Sequence, residues 1–182
     1  MNKYLIATLA LLAMMVNVSA VNAATQTSIA TNVWALNCAT AQPNDTPAKC
    51  IMNHQDEKTS AAPFSISIEF IKLAKNQRPV ALAIITSPMN ILLQSGIRLT
   101  PDKASAVNLA YRSCHADINR SQNRLETLCI APFQLNAKLE QAFKRGASFS
   151  LQAQTLNGKT ISQTVSLIGF TKTFTALKKQ MQ

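Results

Sequence analysis

Phe64-Ser65-Ile66-Ser67-Ile68-Glu69-Phe70 alternates apolar and polar side chains without a break. A strand presents successive residues to opposite faces, so this stretch predicts one with Phe64, Ile66, Ile68 and Phe70 buried and Ser65, Ser67 and Glu69 toward solvent. Its neighbours fit the same scheme. C-terminal to it, Lys75-Asn76-Gln77-Arg78-Pro79 marks a turn, and Val80 to Ile85 is continuously apolar, the pattern of a strand covered on both faces. N-terminal to it, Trp34, Leu36 and Cys38 alternate with Ala35 and Asn37 as a short strand. The turn formers Gln42-Pro43-Asn44-Asp45-Thr46-Pro47 then reverse the chain, so that Cys50-Ile51-Met52 runs back beside that strand. Residues 24–32 are small and polar and read as a loose lead-in, and His54 to Pro63 reads as loop.

Downstream, Ile91-Leu92-Leu93 and Ile97-Arg98-Leu99 flank a bend or bulge at Gly96, and Leu109 and Tyr111 carry a short strand into Cys114. Leu135, Leu139, Ala142 and Phe143 recur at helical spacing. Asn136 is placed to cap that helix and Gly146 to end it, giving a helix near 136–145. Phe149 to Gln154 and Thr160 to Val165 flank Leu156-Asn157-Gly158, a strong hairpin signal. Phe170, Phe174 and Leu177 predict a last helix near 169–180, with Lys178-Lys179 at its negative end. Many short strands with one or two short peripheral helices predict an all-β sandwich.

The first residues have the layout of a secretory leader. Lys3 gives a positive start, Tyr4 to Val16 is apolar, and small residues close the run before a cut after Ala20 or, preferably, Ala23. The apolar run falls short of the ~20 residues that cross a bilayer. We therefore expect a signal peptide over 1–23, a single domain over 24–182, and no transmembrane segment after cleavage. Four cysteines, Cys38, Cys50, Cys114 and Cys129, all follow the leader. On an exported chain an even set reads as two disulfides, with three connectivities open. A Cys38–Cys50 bridge would pin the first hairpin. A bridge between Cys114 and Cys129 would close a polar segment into a constrained loop, a common setting for binding. Arg112, His115, Arg120 and Arg124 are its candidate contact residues, and the alternative is a solvated loop without a partner.

Signatures of catalysis are weak throughout. His54 and His115 stand in no metal-ligand spacing, and His115 follows Cys114 directly, which turns the two to opposite faces of a strand. Four glycines leave little room for a phosphate-cradling loop, and the eight carboxylates are scattered. Trp34, Tyr111 and Phe149 read as core, not as a stacking platform. The formal charge of +10, which falls to +9 when Lys3 leaves with the leader, favours anionic partners, or serves solubility alone. Lys138, Lys144, Arg145, Lys172, Lys178 and Lys179 would form a basic helical face, or simply the solvated sides of two amphipathic helices.

Several pieces in order resemble the invasion-associated locus B family. They are Trp34-x-x-x-Cys38, Cys50, Pro88 with Ile91-Leu92-Leu93, Gly96-Ile97-Arg98-Leu99, Leu109-x-Tyr111-x-x-Cys114, Cys129-x-Ala131 and Ser166-Leu167-x-Gly169-Phe170. Asn90 stands where the family pattern has glycine. The resemblance implies an exported β-sandwich of Gram-negative bacteria, without catalytic residues to carry over, and a Cys38–Cys50, Cys114–Cys129 pairing. The expectation is a non-enzymatic periplasmic, outer-membrane-associated or secreted protein that binds a macromolecule and contributes to host-cell interaction. The alternative is a basic module for anionic envelope components such as lipopolysaccharide. No cofactor, metal or nucleic-acid partner is expected.

Overall fold

The alternation at 64–70 becomes the fourth strand of a seven-stranded sheet. The structure, a computed structural model, describes residues 27–31, 33–39, 49–55, 62–72, 78–119 and 124–180. The strands, in chain order, are β1 (Thr27–Thr31), β2 (Trp34–Cys38), β3 (Cys50–His54), β4 (Ser65–Ile71), β5 (Val80–Pro88), β6 (Ile97–Pro101), β7 (Val107–Leu109), β8 (Ser113–Asn119), β9 (Arg124–Gln134), β10 (Ser148–Gln154) and β11 (Thr160–Ser166). Helix α1 (Ala137–Arg145) joins β9 to β10, and α2 (Phe170–Lys179) follows β11. One sheet runs β1-β2-β3-β4-β5-β9-β8 and the other β11-β10-β6-β7, and the pairings are antiparallel. The expected sandwich with two short helices is what forms.

Register decides which side chains meet. Leu36 stands opposite Met52, Met52 opposite Ile68, and Ile68 opposite Ala83, so one row of buried residues crosses four strands of the larger sheet. In the smaller sheet Leu99 faces Leu151. These inner faces share one core with the buried sides of both helices. Phe143 of α1 stacks on Phe149 of β10 with centroids 4.6 Å apart, and Phe170 of α2 meets Trp34 edge-on at 5.3 Å. Each such fully buried aromatic removes 150–250 Å² from water, and aromatic pairs add about 0.5–1.5 kcal/mol beyond that burial. The local signals for α1 hold in detail. The Asn136 side chain accepts the Leu139 N–H at 3.0 Å, and the Gly146 N–H closes the last turn on the Ala142 carbonyl at 2.8 Å.

Five expectations change. Residues 27–31 are not a loose lead-in: they pair with β2 over the full length of β1, and backbone pairing needs no apolar signature on an edge strand. β5 alternates buried and half-buried along its length, so its continuous apolar run is covered by the core on one face only. The bend before Gly96 is a turn of 3-10 helix at Leu93–Ser95, ending at Gly96 with φ 65°. β7 stops at Leu109, and Tyr111 lies between strands. β3 continues through His54, which belongs to the strand. The leader over 1–23, the turn at 42–47 and most of the turn at 75–79 lie outside the described residues.

Candidate functional site

The segment expected to be a constrained loop is a β-hairpin. β8 and β9 pair from Ser113↔Ile130 to Asn119↔Arg124, and the Cys114–Cys129 disulfide joins two directly opposed residues within that ladder. Seven consecutive cross-strand pairs hold this backbone, so a ladder replaces the loop that polar composition suggested. Arg112 and His115 are exposed. His115 lies within β8, whereas Arg112 precedes the strand. The Arg112 N–H donates to the Ile130 carbonyl at 2.8 Å, fixing where the strand begins. Arg124 opens β9, and Arg120 lies outside the described residues.

The second disulfide, Cys38–Cys50, repeats the geometry between β2 and β3, again at directly opposed positions. Both bridges project toward the core side of the larger sheet, where Cys50 and Cys129 are buried. Beside the second bridge, the Ser87 hydroxyl donates to the Tyr111 hydroxyl at 3.1 Å. Burial pushes the Tyr111 phenol above its ordinary pKa, and the Ser87 contact only partly opposes that. The two histidines stand on β3 and β8, four strand spacings apart, roughly 19 Å. His54 packs edge-on against Trp34 at 5.1 Å, which makes it part of the core margin. Among the described residues, no three His, Cys, Asp or Glu side chains gather as a metal site would require.

The helices concentrate charge. Lys138, Lys144 and Arg145 on α1, and Lys172, Lys178 and Lys179 on α2, are all exposed. Lys138 and Arg145 are seven residues apart, as are Lys172 and Lys179, so each pair lies along one face of its helix. The helices touch: Phe143 meets Phe170 at 5.5 Å, and the Lys144 ammonium sits 5.5 Å from the Phe174 ring centre. Glu140 is the one carboxylate on the two helices, and it is paired with Lys144. The result is a two-helix surface with a large excess of cations, built on an aromatic floor.

A smaller feature escaped the sequence. On the outer face of the smaller sheet, Ser162, Gln152, Arg98 and Asn108 form one row across all four strands. Arg98, Asn108, Gln152, Gln154 and Thr160 line a polar cleft of about 250 Å³ beside Gly96. Its residues come from four separate segments, and only strand register brings them together.

The sequence profile of the invasion associated locus B (IalB) protein family matches residues 34–178, nearly the whole described chain. The chain belongs to the IalB family. No curated protein matches it. Among solved structures, the crystal structure of invasion associated protein B from Bartonella henselae is similar with a TM-score of 0.63 at 19% identity, covering 84% of this chain and 95% of that one. At that identity the likeness shows the fold. The IalB sandwich is thus shared while most side chains differ. The matched span contains both disulfides and most of the helical cations.

Proposed function

We propose that this IalB-family chain is an exported, non-enzymatic envelope protein that binds an anionic envelope component, lipopolysaccharide in the first instance, through the paired helices α1 and α2. The observation that carries this reading is the six exposed cations on two touching helices, offset by one carboxylate that is already paired. A surface of one sign attracts polyanions over about a Debye length, ~8 Å at physiological salt, and loses that attraction as salt rises. The leader-like N-terminus and the two disulfides support export, because disulfides persist outside the reducing cytoplasm. Among the described residues no helix is long and apolar enough to cross a membrane. The names of the family and of the Bartonella protein refer to invasion, which supports a place at the cell envelope where host contact begins.

The test is binding of the disulfide-linked protein to lipopolysaccharide-containing vesicles and to neutral vesicles across a salt series. Binding to the anionic vesicles alone, falling steeply with salt and reduced at least tenfold by the combined K138E, R145E, K172E and K179E changes, is expected. Equal binding to neutral vesicles, or indifference to those four changes, would contradict it.

A further inference from the structure

The outward face of the larger sheet has an apolar centre. Strand parity places Ile51, Ile71, Leu82, Ile84, Ile130 and Pro132 on the side away from the core. Ile84 stands opposite Pro132 on one flank and Ser67 on the other, and Leu82 stands opposite Gln134 and Glu69. All six apolar residues are half-buried, shielded by one another along and across strands. None belongs to the core, and none packs against it. The core, the smaller sheet and both helices occupy the other side, as the Trp34–Phe170 and Phe70–Phe174 contacts show.

Polar side chains surround this centre: Asn53, Ser67, Gln134 and His115 share the face. Glu69, opposite Leu82 on this face, is paired with Lys49 at 3.0 Å. An apolar centre with few charges inside a polar rim is the composition of a protein–protein interface. A lipid surface would instead call for cations around the apolar residues, and here the helical cations lie on the opposite side of the sheet.

We propose that two copies of this chain pack through this face as a two-fold dimer. Charge favours a second copy: a chain of formal charge +10 repels itself almost everywhere, yet this face presents no unpaired charge at its centre. Shape favours it too. Two identical twisted sheets stack face to face about 10 Å apart with strands near 30°, and a two-fold axis needs a patch complementary to itself. Size is sufficient. From β3 to β8 there are four spacings of about 4.8 Å, and the nine residues of β5 run about 30 Å. The projected face is thus roughly 600 Å², matching the ~600 Å² each partner gives at the lower end of specific interfaces. The continuous apolar run of β5 then has its cause, since its second face is covered by the β5 of the other copy.

This dimer is independent of the lipopolysaccharide reading and leaves both α1–α2 pairs exposed. Sedimentation velocity of the disulfide-linked protein over a hundredfold concentration range tests it. A monomer–dimer equilibrium is expected, weakened at least tenfold by Ile84→Glu and unchanged by Lys179→Glu. Ile84→Thr, which keeps a β-branched residue in the strand, gives an intermediate shift if the glutamate variant fails to fold. A monomer at every concentration, including one whose face is taken by a different protein, overturns the proposal. So does a dimer that folded Ile84 variants leave intact.

Discussion

The Trp34 indole N–H donates to the Ser166 carbonyl at 2.8 Å, tying β2 of the larger sheet to the end of β11 in the smaller one. The two residues are 132 positions apart in the chain, and Trp34 is fully buried between Phe170 and the inner sheet faces. A hydrogen bond there matters more through its absence than its presence, because an unpaired buried carbonyl keeps its desolvation cost. Replacing Trp34 with Phe should cost about 1–3 kcal/mol, and replacing it with Ala about 3–5 kcal/mol. Urea denaturation checks both, with the phenylalanine variant keeping a native far-ultraviolet spectrum.

The two disulfides should be worth nearly the same. Cys38–Cys50 closes a separation of 12 residues and Cys114–Cys129 one of 15. Loop-closure entropy gives about 3 kcal/mol for each, and the logarithm makes the difference between them small. Paired Cys→Ser variants should therefore lower stability by similar amounts, read as parallel shifts of the denaturation midpoint. A loss confined to one bridge would show that entropy of the unfolded chain does not set their value.

Gly96 and Gly158 both have positive φ, at 65° and 78°, but their surroundings differ. A Cβ on Gly96 would lie 2.4 Å from the Leu109 carbonyl oxygen, a backbone atom that cannot swing away, whereas Gly158 has nothing within 4 Å. Gly158→Ala should cost about 1 kcal/mol, the conformational strain alone. Gly96→Ala should cost more than twice that and disturb the β6–β7 pairing. Thermal melts of the two variants compare them directly.

Tyr111 supplies a pH dependence. Its phenol is raised above 10.0 by burial, with the Ser87 hydrogen bond opposing. The folded state holds the proton longer than the unfolded chain does. The resulting stability is fully present below the ordinary phenol pKa and is lost as pH rises through the folded value. Ultraviolet titration should show a phenolate appearing later in folded than in unfolded protein, and Tyr111→Phe should flatten the stability curve at alkaline pH.

What could be read from residues alone follows the range of the forces involved. The strand at 64–70 and helix α1 rest on signals a few residues long, a two-residue period and an Asn136 cap, and they form as those signals require. β1 carries only a weak signal, the β-branched Thr27, Ile29 and Thr31 at alternate positions among small residues, and its pairing with β2 rests on backbone hydrogen bonds. The 114–129 segment is rich in polar residues and looked like a loop, yet a cross-strand disulfide and a seven-pair ladder make it a hairpin. The cations of α1 and α2 were each visible, but their adjacency depends on Phe143 meeting Phe170. The cleft at Arg98 depends on register across four strands and had no local trace.

Everything else rests on a chain that matures with each cysteine joined to the one directly across its ladder. Peptide mapping of the non-reduced protein isolated from bacterial envelopes tests this most directly. It should yield Cys38 linked to Cys50 and Cys114 linked to Cys129, with the N-terminus cut after Ala20 or Ala23. Unlinked thiols, a crossed pairing between the two hairpins, or an uncut leader in the cytoplasm would contradict the account.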